Sequence, residues 1–309
     1  MSTPVVSVVV PVLDEEDNLP ELHDRVRAAL ADIPHELVLV DDGSTDGSVA
    51  LIESWIAREQ GVVLVKLSRN FGMEVAMSAG VDHATGDHVV LMHADLQDPP
   101  ELVPEMLAKA TAGADVVYAR RIGRDESLVK RQLATAFYAL MERLARTPYQ
   151  GQAGDFRLMS RRVVQQLRAM PEQRRFLRGM VAWVGFEQVP IEYRRAGRRA
   201  GRGASYDALF RLAFEAVVSF SDVPLTLATI TGIGVAALSG ATAIGIALAT
   251  LLGVVNASLG EWTLVALLFL GGVQLVTIGI LGRYLARVHE QTLGRPLYVV
   301  DRVIGSPAP

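Results

Sequence analysis

The chain has no cysteine among its 309 residues. That excludes a disulfide frame, a thiolate metal site and a cysteine nucleophile. Lysine is scarce too. Lys66, Lys109 and Lys130 are the only three, so the basic residues are mostly arginine. Genome base composition is one cause of such a bias. Phosphate recognition is another, because a guanidinium forks onto phosphate oxygens. A net charge of −4 gives no case for nucleic acid. No basic n-region and cleavage site precede the apolar run that starts at Val5, so no signal peptide is expected. Charge is missing altogether from two long stretches, Leu225 to Val255 and Trp262 to Gly282. A helix crosses a hydrocarbon core with roughly 20 apolar residues, so both stretches are expected to be membrane spans.

What remains alternates between two periods. Residues 5–12, 36–40, 62–67, 89–92 and 116–118 are short β-branched runs and predict strands. Residues 18–31, 48–59, 74–84 and 99–112 carry helical spacing between them. Alternating units of this kind predict an α/β domain with a mostly parallel, Rossmann-like sheet and helices on both faces. Ligands of such sheets bind beyond the carboxyl ends of the strands. Acidic clusters stand at those ends: Asp14-Glu15 after the first strand, Asp41-Asp42 after the second and Asp95 after the fourth. Further on, 127–145, 161–170 and 173–184 are expected to be helical, and 148–154 and 194–203 to be loops. Residues 206–220 have an amphipathic pattern and predict an interfacial helix, with an ordinary core helix as the alternative.

Three local motifs can carry chemistry. Asp41-Asp42-Gly43-Ser44-Thr45-Asp46-Gly47 ends a strand and opens a helix, where a carboxylate can accept from a base N–H or a ribose hydroxyl. It is no Walker loop, because no Gly-Lys-Ser/Thr follows; by itself it also fits a plain capped turn. In His93-Ala94-Asp95-Leu96-Gln97-Asp98, alternate residues of an extended segment point the same way. His93, Asp95 and Gln97 would then converge on one ion, and oxygen ligands with a diphosphate suit Mg2+ or Mn2+. A loop or helix cap is the plainer reading. Gln152-Ala153-Gly154-Asp155-Phe156-Arg157 reads as a turn that holds one carboxylate, or as an N-cap. Between Arg157 and Glu215 there are 13 Arg against 5 acids, a candidate phosphate or lipid-headgroup surface.

Together the motifs form an ordered set: Val-Pro-Val-Leu-Asp-Glu-Glu (10–16), Val-Asp-Asp-Gly-Ser-Thr-Asp (40–46), Leu-Ser-Arg-Asn-Phe-Gly (67–72), Ala-Asp-Leu-Gln-Asp-Pro-Pro (94–100) and Gly-Asp-Phe-Arg-Leu-Met (154–159). The set resembles the family 2 inverting glycosyltransferases of GT-A fold. Arg175-Phe176-Leu177-Arg178-Gly179, the paired charge-free runs and Gly294-Arg295-Pro296-Leu297-Tyr298-Val299-Val300 are similar to the polyprenyl-phosphate branch. That branch holds dolichol-phosphate mannose synthase-like enzymes and bactoprenol glucosyltransferases. The resemblance implies that Pro11, Val12, Asp14 and Glu15 line the nucleotide pocket, and that Asp42, with Asp41, holds the base or ribose. It implies that Asp95 and Gln97, with His93 beside them, bind the ion that bridges the diphosphate. Arg121, Arg131, Arg157 and Arg202 would meet acceptor phosphate, and Asp155 occupies the catalytic carboxylate position alongside Asp95. Three positions depart from the family pattern. Asp14 stands where Asn is usual, His93 replaces the first acid of Asp-x-Asp, and Ala204-Ser205-Tyr206 replaces Ser-Lys-Tyr, with Arg198, Arg199 or Arg202 as substitutes for the lysine.

The expected reaction is therefore transfer of a hexose from a nucleotide sugar to a polyprenyl phosphate. UDP-glucose is the first candidate donor and GDP-mannose or UDP-linked amino sugars follow. A phosphate monoester has a second pKa of about 6 and is mostly a dianion near neutrality, so Asp155 is expected to orient the acceptor or the ion as much as to take a proton. The rival readings are a sugar-nucleotide-binding scaffold without turnover and a processive polysaccharide synthase; the latter lacks its Gln-x-x-Arg-Trp motif here. The expected organisation is a cytoplasmic catalytic domain over 1–205, an interfacial helix over 206–222, a transmembrane hairpin over 223–285 (spans about 225–253 and 262–283) and a cytoplasmic tail over 286–309. Arginines flank the hairpin only on that side, so an integral protein of a bacterial inner membrane is expected. Small residues at Ala228, Gly232, Ala236 and Gly240 permit a homo-oligomer.

Overall fold

The computed structural model describes residues 5–121, 153–173, 175–193 and 259–305, with isolated positions between 234 and 252. Among the described residues, eight strands form one sheet: β1 (Val6–Val12), β2 (His35–Asp41), β3 (Val62–Leu67), β4 (His88–Leu91), β5 (Val116–Arg121), β6 (Ala153–Ser160), β7 (Gln188–Tyr193) and β8 (Val300–Gly305). Their order is β7-β5-β6-β4-β1-β2-β3-β8. β4, β1, β2 and β3 are parallel neighbours, as the alternating β and α units require. β6 joins β4 and β5 antiparallel, and β8 joins β3 antiparallel. The sheet is thus mixed, with a parallel centre of the expected type.

The β-branched centre explains the layering. Every residue of β1 is buried, which is the signature of a strand covered on both faces. On one face α1 (Leu19–Ala29), α2 (Ser48–Ile56) and α4 (Val103–Thr111) lay Leu22, Ile52 and Met106 over Val8, Leu39 and Val90. On the other, α3 (Met73–His83), α5 (Arg161–Ala169) and α6 (Leu177–Val184) lay Met77, Leu167 and Val181 over Val9, Val65 and Met159. Each fully buried side chain of this size contributes about 1.5–3 kcal/mol. α3 lies close against the sheet: a Cβ on Gly80 would stand 2.2 Å from Val9 Cγ1.

Three segments differ from the reading of the sequence, one of them 188–193, which forms β7 where no strand was expected. Residues 152–157 were expected to turn, yet 153–160 form β6. A Gly-Asp pair suggests a turn locally, but pairing with β4 and β5 on either side satisfies the backbone better. The segment after Gly294 also returns to the sheet as β8, where no strand was expected. Ser68 donates to the Val299 carbonyl at 2.9 Å, and Tyr298 donates to Asp82 Oδ2 at 3.0 Å.

The described residues fall into two compact units, the head with residues 296–305 and a second unit that holds residues 259–295. The second unit contains α7 (Leu259–Thr292). Among the described residues, no helix is long and apolar enough to cross a membrane. The transmembrane hairpin, and the integral inner-membrane location that rested on it, are corrected accordingly. The sequence reading counted absence of charge, whereas a hairpin needs two continuous apolar helices. The described residues hold one long helix here. It includes Gly271, Gln274, Thr277 and Gly279, and it runs past position 283 through Glu290 to Thr292 instead of ending. The expected first span, 225–253, is described only at isolated positions, and the interfacial helix over 206–222 lies outside the described residues.

Candidate active site

The loops after β1, β2 and β3 interlock at the carboxyl ends of the parallel strands. Pro11 and Val12 are buried at the end of β1, where Val12 pairs with Asp41. Asp14 adopts a left-handed conformation, φ 52°, which a short polar side chain tolerates better than most. Its Oδ1 accepts from the Thr45 N–H at 2.7 Å and the Asp46 N–H at 3.3 Å. Glu15 takes its N–H to Ser48 Oγ at 3.0 Å, and its Oε2 accepts from Asn18 Nδ2 at 2.6 Å. Asp42 is buried and grips the third loop, accepting the Phe71 N–H at 2.7 Å and the Gly72 N–H at 2.9 Å. Burial pushes its pKa up against these two bonds. Asp14, Glu15 and Asp42 therefore hold loops together. Asp41 is different: Oδ1 accepts the Ser44 N–H at 3.0 Å, while the buried Oδ2 has no hydrogen-bond partner among the described residues. A buried acceptor without a partner costs about 1–3 kcal/mol, and a donor such as a base N–H would relieve it.

The second cluster follows from strand register. β4 and β6 pair antiparallel with Leu91 opposite Arg157. Two residues beyond, the same register sets His93 against Asp155, and His93 Nε2 stands 3.3 Å from Asp155 Oδ2. Arg178, in the first turn of α6, donates to the same carboxylate through Nε at 3.1 Å and Nη2 at 2.7 Å. Burial alone would raise the Asp155 pKa. His93 and the Arg178 guanidinium, with Arg157 further off, overturn that and hold the carboxyl well below the usual range. His93 is affected in the opposite sense: burial would lower it, but Asp155, Asp98 and Asp95 draw it upward. Arg157 is buried and donates to the Gly154 carbonyl at 2.7 Å.

Residues 93–98 do not continue as a strand. Leu96 lies at φ 59°, a conformation that costs a residue with a Cβ about 1–2 kcal/mol, and it breaks the alternation of side chains. The Gln97 N–H folds back onto Asp95 Oδ1 at 3.2 Å, and the buried Gln97 Nε2 has no hydrogen-bond partner among the described residues. Asp98 is buried and accepts from the His93 N–H at 3.2 Å and from Tyr193 Oη at 3.3 Å. Among the described residues, no three His, Asp or Glu side chains are grouped to hold a metal ion. That fits no protein cage. It does suit an ion bound through one carboxylate, waters and substrate phosphates, the usual habit of Mg2+.

Sequence reasoning placed Asp155 and Asp95 in one site but missed Arg178 as the partner of Asp155. The signal was present in Arg175-Phe176-Leu177-Arg178-Gly179. Arg121 ends β5, and nothing is described of its side chain; Arg131 and Arg202 lie outside the described residues.

The chain is similar in sequence to known glycosyltransferases. The chain is 40% identical over 303 residues to an uncharacterized glycosyltransferase of Synechocystis sp., covering 97% of this chain and 95% of that one. It is 39% identical over 307 residues to a prophage bactoprenol glucosyl transferase homolog of Escherichia coli K12, covering 96% and 99%. Among solved structures, glucosyl-3-phosphoglycerate synthase from Mycobacterium tuberculosis, in complex with Mn2+, UDP and glucosyl-3-phosphoglycerate, is similar over 70% of this chain and 78% of that one, with 22% identity and a TM-score of 0.49. The model of glycosyl transferase family 2 matches residues 7–168, more than half of the chain, and the chain belongs to that family.

Proposed function

We propose that this glycosyltransferase moves a hexose, glucose first, from its UDP-linked form to the phosphate of a polyprenyl phosphate. The observation that carries the reading is the state of Asp155. A carboxylate gripped by Arg178 and faced by His93 is too weak a base to activate a sugar hydroxyl. It suits an acceptor that arrives already ionised. A phosphate monoester, with its second pKa of about 6, is such an acceptor. The names of the relatives in E. coli and in Shigella phage SfII, bactoprenol glucosyl transferases at 39% identity, support the same class.

In this reading an acceptor phosphate oxygen attacks the anomeric carbon while the bond from that carbon to the UDP oxygen breaks. The bonding electrons leave with the diphosphate, and the configuration inverts. Asp41 Oδ2 accepts from the base or ribose, and Asp42 keeps the Phe71–Gly72 loop closed beneath the nucleotide. Asp95, with Gln97 and His93 beside it, would hold a divalent ion, which neutralises charge on the leaving diphosphate. Asp155 orients and screens; it moves no proton. The arginines expected to meet the acceptor, Arg121, Arg131, Arg157 and Arg202, complete the proposal.

The test uses purified full-length protein, UDP-[14C]glucose and either undecaprenyl phosphate or undecaprenol in detergent. Label should enter the organic phase with the phosphate only, and EDTA should stop it until Mn2+ or Mg2+ is returned. Equal labelling of the alcohol, or nucleotide binding without transfer to either lipid, would refute the proposal.

A further inference from the structure

We infer that Glu74 is a positioning residue that ties the nucleotide end of the sheet to the Asp155–Arg178 pair. Glu74 stands in the first turn of α3, two residues after Gly72, the N-cap residue whose N–H is held by Asp42. Its Oε2 accepts the Leu177 N–H at 3.0 Å. Leu177 is the first residue of α6, and Phe176 before it supplies no side-chain cap. A helix start leaves backbone N–H groups without partners, and here the cap comes from another helix. The next residue, Arg178, is the one that clasps Asp155.

The chain of contacts is continuous: Asp42 to Gly72, two residues along the start of α3 to Glu74, across to Leu177, and on to Arg178 and Asp155. An anion at this place is costly. Burial, and then the charge of Asp155, push the Glu74 pKa up, while the Leu177 N–H, Arg178 and Arg157 oppose them. A packing role alone needs no hydrogen-bond acceptor beside Asp155. Capping the start of α6 does need one, because it fixes the helix start from which the Arg178 guanidinium reaches. The inference rests on the glycosyl-transfer reading of the site, and it adds a residue that touches neither donor nor acceptor.

Glu74→Ala and Glu74→Gln separate this role from plain stability. Loss of a hydrogen bond to a charged group predicts that kcat of Glu74→Ala falls by about tenfold or more, while KM for UDP-glucose stays within about twofold because the bond does not touch the donor. Glu74→Gln keeps an oxygen for the Leu177 N–H and should recover to within about threefold of wild type. In an Arg178→Ala background, Glu74→Ala should add less than about twofold, since both act through one element. Amide exchange at Leu177 should quicken in Glu74→Ala and remain slow in Glu74→Gln, with both variants still melting cooperatively. Unaltered exchange, a KM change that tracks kcat, a glutamine as poor as alanine, or full additivity with Arg178→Ala would each overturn the inference. If wild type transfers to no lipid phosphate, the acceptor assignment fails instead, and the exchange measurement still decides on Glu74.

Discussion

Asp155→Asn separates orientation from base chemistry. The carboxylate takes two donors of Arg178, at 3.1 and 2.7 Å, and faces His93 at 3.3 Å. Asparagine keeps one oxygen and sets an NH2 against at least one of these donors. A lost hydrogen bond to a charged group costs about 1.5–3 kcal/mol. If the bond matters only in the transition state, that is a fall in kcat of about 10- to 150-fold. The stability cost should be similar, below the roughly 3–5 kcal/mol of breaking a fully buried pair, because the Arg178 side chain is 28% exposed. The pH profile decides the matter. Asp155 is held ionised, so the acid limb of kcat/KM should belong to the acceptor phosphate, near its second pKa of about 6. Wild type and Asp155→Asn should share that limb in a lipid-extraction rate assay between pH 5 and 9. A limb that disappears in the variant, or a loss beyond about 10,000-fold, would mean that Asp155 takes a proton, and the reasoning from its ion pair would be wrong.

Other outcomes follow from the same contacts. Asp42→Asn turns an NH2 towards one of two half-buried N–H groups, and should cost about 1–3 kcal/mol in urea unfolding and weaken UDP binding by calorimetry. The Asp115 carboxyl is held below the usual range chiefly by its hydrogen bond from Arg162, with burial opposing and Ser160 and the Glu187 N–H assisting. A depressed acid lends stability above its unfolded pKa of about 3.9 and loses it as pH falls through the folded value. The stability gap between wild type and Arg162→Gln should therefore be full at pH 7 and shrink below pH of about 4, read by urea unfolding at both ends. Gly80→Ala places a Cβ 2.2 Å from Val9 Cγ1; overpacking of this kind costs about 1–3 kcal/mol, so an unchanged melting temperature would show that α3 shifts freely.

The parallel centre of the sheet was legible because β1 and β3 are apolar nearly throughout and β2 carries Leu37-Val38-Leu39-Val40 between its polar ends, and such runs admit few other readings. Asp41 and Asp95 were legible as strand-end acids. β6 was not, since Ala153-Gly154-Asp155 offers no alternating pattern and becomes a strand only between β4 and β5. The His93–Asp155 contact was hidden for the same reason: it follows from register, and register follows from pairing. β7 has exposed or half-buried residues at four of its six positions, so its period is weak. Arg178 was visible as part of a motif, but its grip on Asp155 needs the α6 start to be placed. The charge-free runs misled because lack of charge and continuous apolar helix are separate properties.

β8 brings a further consequence. Its charged positions are matched to earlier elements, Asp301 to Lys66 at 3.7 Å and Arg302 to Glu53 at 2.5 Å. The neighbouring tie from Tyr298 to Asp82 spans 216 residues of sequence. During synthesis, β3 must then wait with its outer N–H and C=O groups bare while the intervening chain emerges. An unpaired rim is where nascent molecules stick to one another, and long-separated pairings form slowly. Yield of soluble product should hence depend on the final strand arriving promptly, even though it stands on the far side of β3 from the Asp155 cluster.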